Sequence, residues 1–310
     1  MLASHPRPTA PGVQGNVIAA GSMLIWAAGF PAGDVLLEQV APLHLATLRM
    51  LLAAAFLLPL WLAFEGRRDF PRIHWRRVAL IGAVGFGATS FLLTFAQSRT
   101  DGVTVAIVSA TTPVIGIALE CLLDGRRLTR RLVAGLVLTL TGGTAAYAAG
   151  LGSLNLGLGA LAMLASVIIY CWGSRAAVVD LAPLSPLGRA ALPFVAAGLT
   201  MTVISSAADG FGAAAGVLLT DPDALTIALF YGMGSIGLSH LLWLMGVERL
   251  GIGIASMHFN AAPFYVMMIA WALGGGFNWA QALGALVVLA GVLIAQGRAA
   301  RSNRAAAEVT

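Results

Sequence analysis

Residues 111–143, TTPVIGIALECLLDGRRLTRRLVAGLVLTLTGG, and residues 260–291, NAAPFYVMMIAWALGGGFNWAQALGALVVLAG, read as two copies of one pattern. Pro113 lies 150 positions before Pro263, and after a one-residue gap Gly135 and Gly142 fall in register with Gly284 and Gly291. Upstream the same shift pairs Arg99 with Arg249. Each copy joins two apolar stretches through a short break. Each stretch approaches the ~20 residues that a helix needs to cross ~30 Å of hydrocarbon.

Applied to all 310 residues, that length criterion gives ten spans, near 14–32, 43–64, 78–98, 102–123, 131–149, 156–176, 190–206, 224–246, 252–273 and 279–297. The breaks between them are charged or turn-rich, and even Glu65–Arg77 and Asp209–Asp223 are too short for a separate folded domain. The expected fold is all-α, ten transmembrane helices arranged as two five-helix repeats. Residues 1–13 form a tail, 14–150 the first repeat, 151–297 the second and 298–310 a second tail. Composition agrees: 59% hydrophobic and 10% charged residues, with a mean hydropathy of +0.88, exclude an ordinary soluble domain, where about 25% of residues are charged.

All eighteen basic residues are arginine. A pI near 10 fits nucleic-acid binding only when a basic face sits on a water-soluble body, so no nucleic-acid partner is expected. Arginine collects instead in 65–77, 124–131, 175–189, 247–251 and both tails, which all fall on one side of a ten-span chain. Cytoplasmic loops retain arginine, so both termini are expected in the cytoplasm. Residues 1–30 superficially resemble a signal peptide, but the apolar stretch is long for one and the repeat needs it as the first span.

Five spans per repeat is an odd number, so the copies are expected in opposite orientations. Loop charge supports this: arginine-rich 65–77 corresponds to 207–223, which holds three aspartates and no arginine. Inverted repeats are typical of secondary transporters, where exchanging two conformations of one unit opens a central site alternately to each side.

On these features the chain is similar to the drug/metabolite transporter superfamily, and within it to the EamA-type exporters. The resemblance covers about residues 16–297. It is carried by Trp26-Ala-Ala-Gly29, Arg49, the run from Pro113 through Glu120 and Gly125 to Gly135 and Gly142, Glu248-Arg249-Leu250, and then Pro263, Gly284 and Gly291. It implies ten helices as two five-helix repeats and a cavity among spans three, four, eight and nine. The chain looks most similar to bacterial exporters of aromatic amino acids and toxic compounds, which implies a bacterial inner-membrane location, amino acids or related amphiphiles as cargo, and the bilayer as surroundings. One departure stands out: Gly274-Gly-Gly-Phe-Asn278 lacks the acidic residue that the family often carries before the last span.

Ionisable and polar residues in lipid face the protein interior or a wet cavity. His240, its repeat partner Ser90, and Thr94, His258 and Asn260 are therefore candidate cargo contacts. The rival reading for each histidine is a helix-to-helix hydrogen bond, and for Ser90 and Thr94 a bond to their own backbone. Trp26, Tyr170, Trp172 and Trp243 are candidates for stacking on an aromatic cargo, or are simply core. Trp61, Trp75, Trp271 and Trp279 read as interfacial anchors. Pro113 and Pro263 read as paired hinges or as static kinks. Arg49 is expected to snorkel or to pair with Asp34 or Glu38, the structural role being favoured over attraction of a carboxylate. Glu120 is expected to pair with Arg126 or Arg127 at the cytoplasmic rim. The glycines at 82, 85, 232, 234, 237, 284 and 291 read as small faces for close helix approach.

Cys121 and Cys171 lie in apolar runs and read as small buried residues. No CxxC, HExxH or Cys/His cluster occurs; no metal or cofactor is expected, and no catalytic residue. With no carboxylate at mid-span, proton coupling has no support and facilitated export stays open. The expectation is an exporter by alternating access, working as a monomer, for amino acids with apolar or aromatic side chains, or else for other metabolites or drugs. A channel would need a ring of like charges or carbonyls, and an intramembrane serine protease built on Ser239, His240 and His258 would have no use for the repeat.

Overall fold

The computed structural model describes residues 11–99, 108–148, 157–272 and 279–296, and among these all regular structure is helical. Long apolar runs without alternation leave the helix as the way to satisfy every backbone donor and acceptor locally. We label the helices α1 Pro11–Ala27, α2 Gly29–Leu37, α3 Pro42–Phe64, α4 Trp75–Arg99, α5 Thr112–Leu123, α6 Arg130–Ala148, α7 Leu158–Val179, α8 Pro186–Ser206, α9 Phe211–Thr220, α10 Pro222–Leu250, α11 Ala262–Ala272 and α12 Trp279–Gln296. Among the described residues six stretches are long and apolar enough to cross a membrane: Gly12–Leu37, Pro42–Phe64, Trp75–Arg99, Leu158–Val179, Pro186–Ser206 and Pro222–Leu250. The protein is thus an all-α, multi-pass membrane protein. The stretch at 209–223, expected from its aspartates and glycines to be a break, contains α9. This apolar helix is entered through Gly210 at φ +97° and leaves Leu219 82% exposed.

Helices at corresponding places in the two halves pack on one another in antiparallel order. In α6 and α12, Gly135 lies against Gly291 and Gly142 against Gly284. A Cβ on Gly135 would come within 2.5 Å of the Gly291 carbonyl oxygen, and one on Gly142 within 2.7 Å of that of Gly284. In α3 and α8, His44 Nδ1 lies 2.6 Å from Ser205 Oγ, Thr47 Oγ1 donates to the Met201 carbonyl at 3.3 Å, and Leu51 covers Gly198.

The long helices α4 and α10 share a further feature. In each the hydrogen bonding widens into a π-helical stretch, Ile81–Ala88 in α4 and Phe230–Leu238 in α10, before returning to α-helix at Thr89 and Ser239. Both stretches are glycine-rich, and the missing side chains admit neighbours. A Cβ on Gly82 would meet the Pro193 carbonyl of α8 and a Cβ on Gly232 would meet Leu52 of α3, while Gly85 lies against Gly173 of α7. Gly234 meets only Phe230 of its own helix. Such π stretches occur often at functional sites.

The two repeat-related prolines do not sit inside a helix. Pro113 is the second residue of α5, directly after a turn at Ala110–Thr111, and Pro263 is the second residue of α11, directly after a 3₁₀ segment Ser256–Ala261. Proline is tolerated there because the first-turn N–H groups have no partner within the helix. The breaks lie just upstream of the prolines rather than at them.

The arginine-rich end is tied down by polar contacts. Asp69, fully buried, accepts from Trp61 Nε1 at 2.9 Å and from the Ser185 backbone and hydroxyl, so Trp61 is a buried tie rather than an interfacial anchor. Ser185 in turn caps α8 by accepting from Gly188 N at 3.0 Å. Glu120 pairs with Arg126, as its position at the rim implies, and Arg189 pairs with Glu248 at 2.8 Å. Arg175 grips Asp124 through both carboxylate oxygens, and this bond holds the Asp124 carboxyl below the usual aspartate range. Trp75, Trp271 and Trp279 are more than half exposed.

Candidate functional site

A cavity of about 80 Å³ opens where α1, α3, α4, α5, α7, α8 and α10 meet. The wall is mostly apolar. Its aromatic members are Trp26, Phe86, Tyr170, Phe194 and Phe259. Its polar members include Arg49, Thr89, Ser166, Ser239 and His240. Among the described residues no aspartate or glutamate lines it.

The α-helical turn after each π stretch delivers residues from both halves. Thr89 and Ser239, and Phe86 and Ile236, are pairs 150 positions apart, and all four line the cavity. Widening the helix by one residue rotates the next turn about the axis, so that turn presents side chains that a regular α-helix would direct elsewhere.

His240 is 5% exposed and its ring meets three others: Phe86 edge-on at 4.4 Å, Phe194 at 4.9 Å and Tyr170 at 5.8 Å between centroids. Its Nδ1 lies 3.4 Å from the Tyr170 hydroxyl, and among the described residues Nε2 has no partner. A buried imidazole nitrogen without a partner carries a desolvation cost of about 1–3 kcal/mol, a cost that a polar cargo atom would relieve.

Arg49, in the first half of α3, is 4% exposed and does not snorkel. It pairs with neither Asp34 nor Glu38. Its Nε donates to Ser90 Oγ at 2.6 Å and its Nη1 to the Tyr231 hydroxyl at 2.7 Å, while the guanidinium carbon lies 5.5 Å from the Tyr231 ring centre. Placing arginine well inside a span costs about 2.5–3.5 kcal/mol. Two charge-assisted hydrogen bonds of about 1.5–3 kcal/mol each offset that, but neutral hydroxyls leave the charge itself unbalanced.

Of the residues expected from sequence to touch cargo, the structure brings Trp26, Tyr170 and His240 to the wall. Ser90 stands one layer behind it, holding Arg49. Trp243 also stands behind, stacked on Tyr170 at 5.9 Å and donating to Ser174 Oγ at 2.9 Å. Thr94 is engaged with the carbonyls of Pro42 and Ser90, Trp172 lies beside Gly85, and His258 bonds the Ala255 carbonyl at 3.1 Å. Asn260 is fully buried with both side-chain polar atoms unpaired among the described residues, away from the cavity wall. Phe86, Phe194 and Phe259 carried no signal beyond hydrophobicity, and Arg49 was visible as a charge within a span whose partners sequence could not name.

Comparison with known proteins converges on one family. The EamA-like transporter family model matches residues 13–146 and again 157–296. Two curated relatives extend over nearly the whole chain. One is the uncharacterized transporter YyaM of Bacillus subtilis, 23% identical over 91% of this chain and 93% of its own. The other is a probable terminal-alkyne amino-acid exporter of Streptantibioticus cattleyicolor, 25% identical over 92% of this chain and 94% of its own. A solved crystal structure shares the fold, with a TM-score of 0.72 over 93% of this chain and 98% of the other at 20% identity. The chain belongs to the EamA-like transporter family, and its activity is transport across a membrane rather than catalysis.

Proposed function

We propose that this protein exports amino acids with apolar or aromatic side chains, and related amphiphiles, across the bacterial inner membrane by alternating access between two inverted five-helix repeats. The observation that carries the reading is one cavity walled by equivalent positions of both halves, Thr89 with Ser239 and Phe86 with Ile236. A site shared in this way changes access when the halves exchange conformations. The antiparallel seams of α6 with α12 and α3 with α8 are what inversion of one half against the other requires. The breaks before Pro113 and Pro263 supply paired bending points. Loop arginines orient both termini toward the cytoplasm.

Amino-acid cargo is supported by the aromatic wall, whose rings gain about 0.5–1.5 kcal/mol per favourable ring contact beyond burial, and by the name of the S. cattleyicolor relative. Purified protein in liposomes loaded with labelled phenylalanine, leucine or alanine tests it. Protein-dependent efflux favouring phenylalanine is expected, and no flux of any amino acid overturns the reading in favour of other metabolites or drugs.

A further inference from the structure

Arg49 is the one described residue on the cavity wall with a permanent charge, since arginine keeps its proton in protein environments. Its partners are chemically incomplete for that role. Ser90 and Tyr231 accept from Nε and Nη1 through neutral oxygens. Ser90 Oγ also donates onward to the Ala46 carbonyl at 3.3 Å, so it is held as an acceptor facing the guanidinium. The carboxylates nearest in sequence, Asp34 and Glu38, form no ion pair with it. A planar, forked cation lining a cavity is matched by a carboxylate, which takes two parallel N–H bonds.

The second half supplies the complement. Phe194 stands on α8, the counterpart of α3, and forms with Phe86, Tyr170 and His240 an aromatic cluster on the same wall. The cavity wall therefore combines one cation with a cluster of rings. For an ammonium group it offers much less. No described carboxylate lines it, and three of its hydroxyls, with their protons directed to backbone, offer an ammonium only neutral oxygens. Ser166 donates to the Thr89 carbonyl at 3.1 Å, Thr89 to the Ser166 carbonyl at 3.5 Å, and Ser239 to the Ser235 carbonyl. An ammonium entering here exchanges water for neutral oxygens and meets a like charge besides.

We propose that Arg49 is the receptor for a carboxylate on the cargo and that the described wall has no anionic counterpart for an α-ammonium, so that its cargo class is amphiphilic monocarboxylates with or without a free amine. This rests on the reading of the cavity as the cargo site. It extends that reading, because an N-blocked amino acid or an amine-free aromatic acid then fits as well as the parent amino acid.

The test is equilibrium binding to the purified full-length protein in detergent, by calorimetry, of two probes that share one skeleton: 3-phenylpropionate, a carboxylate without an amine, and phenethylamine, an amine without a carboxylate. Phenylpropionate is expected to bind at least about tenfold more tightly, the scale of one charge-assisted bond. Arg49→Gln is expected to erase that preference while Arg49→Lys keeps part of it; a role limited to bracing Ser90 and Tyr231 predicts no change in the ratio between probes. If Arg49→Gln does not fold, the two probes on the native protein still decide. Equal or stronger binding of phenethylamine, binding of neither probe, or a preference that survives in folded Arg49→Gln overturns the assignment. The two readings separate cleanly. Amino-acid efflux from liposomes without the probe preference removes Arg49 alone. Arg49-dependent phenylpropionate binding without any amino-acid flux removes the amino-acid cargo and leaves the carboxylate receptor standing.

Discussion

Helices α4 and α10 have nearly the same backbone and different chemistry. Each carries a π stretch and then an α-helical segment in matching register, yet where α4 has Ile81, Gly85 and Ser90, α10 has Tyr231, Ser235 and His240. The duplicated element supplies geometry, namely a turned helix that presents residues to a shared cavity. The substitutions between copies supply polarity. Tyr231 and Ser90 both accept from Arg49, whereas His240 joins the cluster of rings. Equivalent positions thus serve different chemistry at one site, and a fully symmetric pair would give a cavity without that division.

The likeness of the two helices breaks most severely where backbones touch. Gly82→Ala puts a methyl group against the Pro193 carbonyl, the Ala196 Cβ at 2.6 Å and the Ala197 nitrogen at 3.0 Å. A loss of about 2–3 kcal/mol of stability is expected, read as a lowered Tm of the detergent-solubilised protein. Gly232→Ala meets the Leu52 Cβ, an atom fixed to the α3 backbone, so a comparable fall in Tm is expected; a much smaller fall would show that the two crossings are not equivalent. Next in size is His240→Ser, which moves α10 toward the chemistry of α4. It removes the edge contacts to Phe86, Phe194 and Tyr170, and phenylalanine efflux is expected to drop about tenfold while elution on size exclusion is unchanged. Smallest is Trp172→Phe. The ring lies beside Gly85 and off the wall, so efflux is expected to stay within about twofold of the native rate; a tenfold loss would place the cargo path along that face.

Hydropathy and the 150-residue register were legible because they depend on local composition, and they related Ser90 to His240 and aligned the glycines of the seam without any knowledge of contacts. Direction escaped. Thr94, Trp172 and His258 are polar or aromatic residues at suitable depths, but depth does not say which face of a helix meets the cavity, and for Thr94 a π stretch upstream rotates that face. Arg49 escaped for a related reason. Its partner Tyr231 lies 182 residues away in the other half, and sequence proximity pointed instead to Asp34 and Glu38. Trp61 looked like a rim tryptophan because nothing local announces that Asp69 folds back to accept its N–H. Helix α9 was hidden by its borders, since Gly210 and Asp221 are turn residues that happen to begin and end a helix.

The seam between α6 and α12 is symmetric under exchange. Gly135 and Gly284 are equivalent, as are Gly142 and Gly291, and the contacts run crosswise, Gly135 to Gly291 and Gly142 to Gly284. Exchanging the two helices therefore maps the contact onto itself. This is the geometry of an isologous interface, ordinarily seen between two identical chains, here closed within a single one. The patch that seals the seam is self-complementary: each half presents, in the same three-dimensional arrangement, both the surface that recognises and the surface that is recognised.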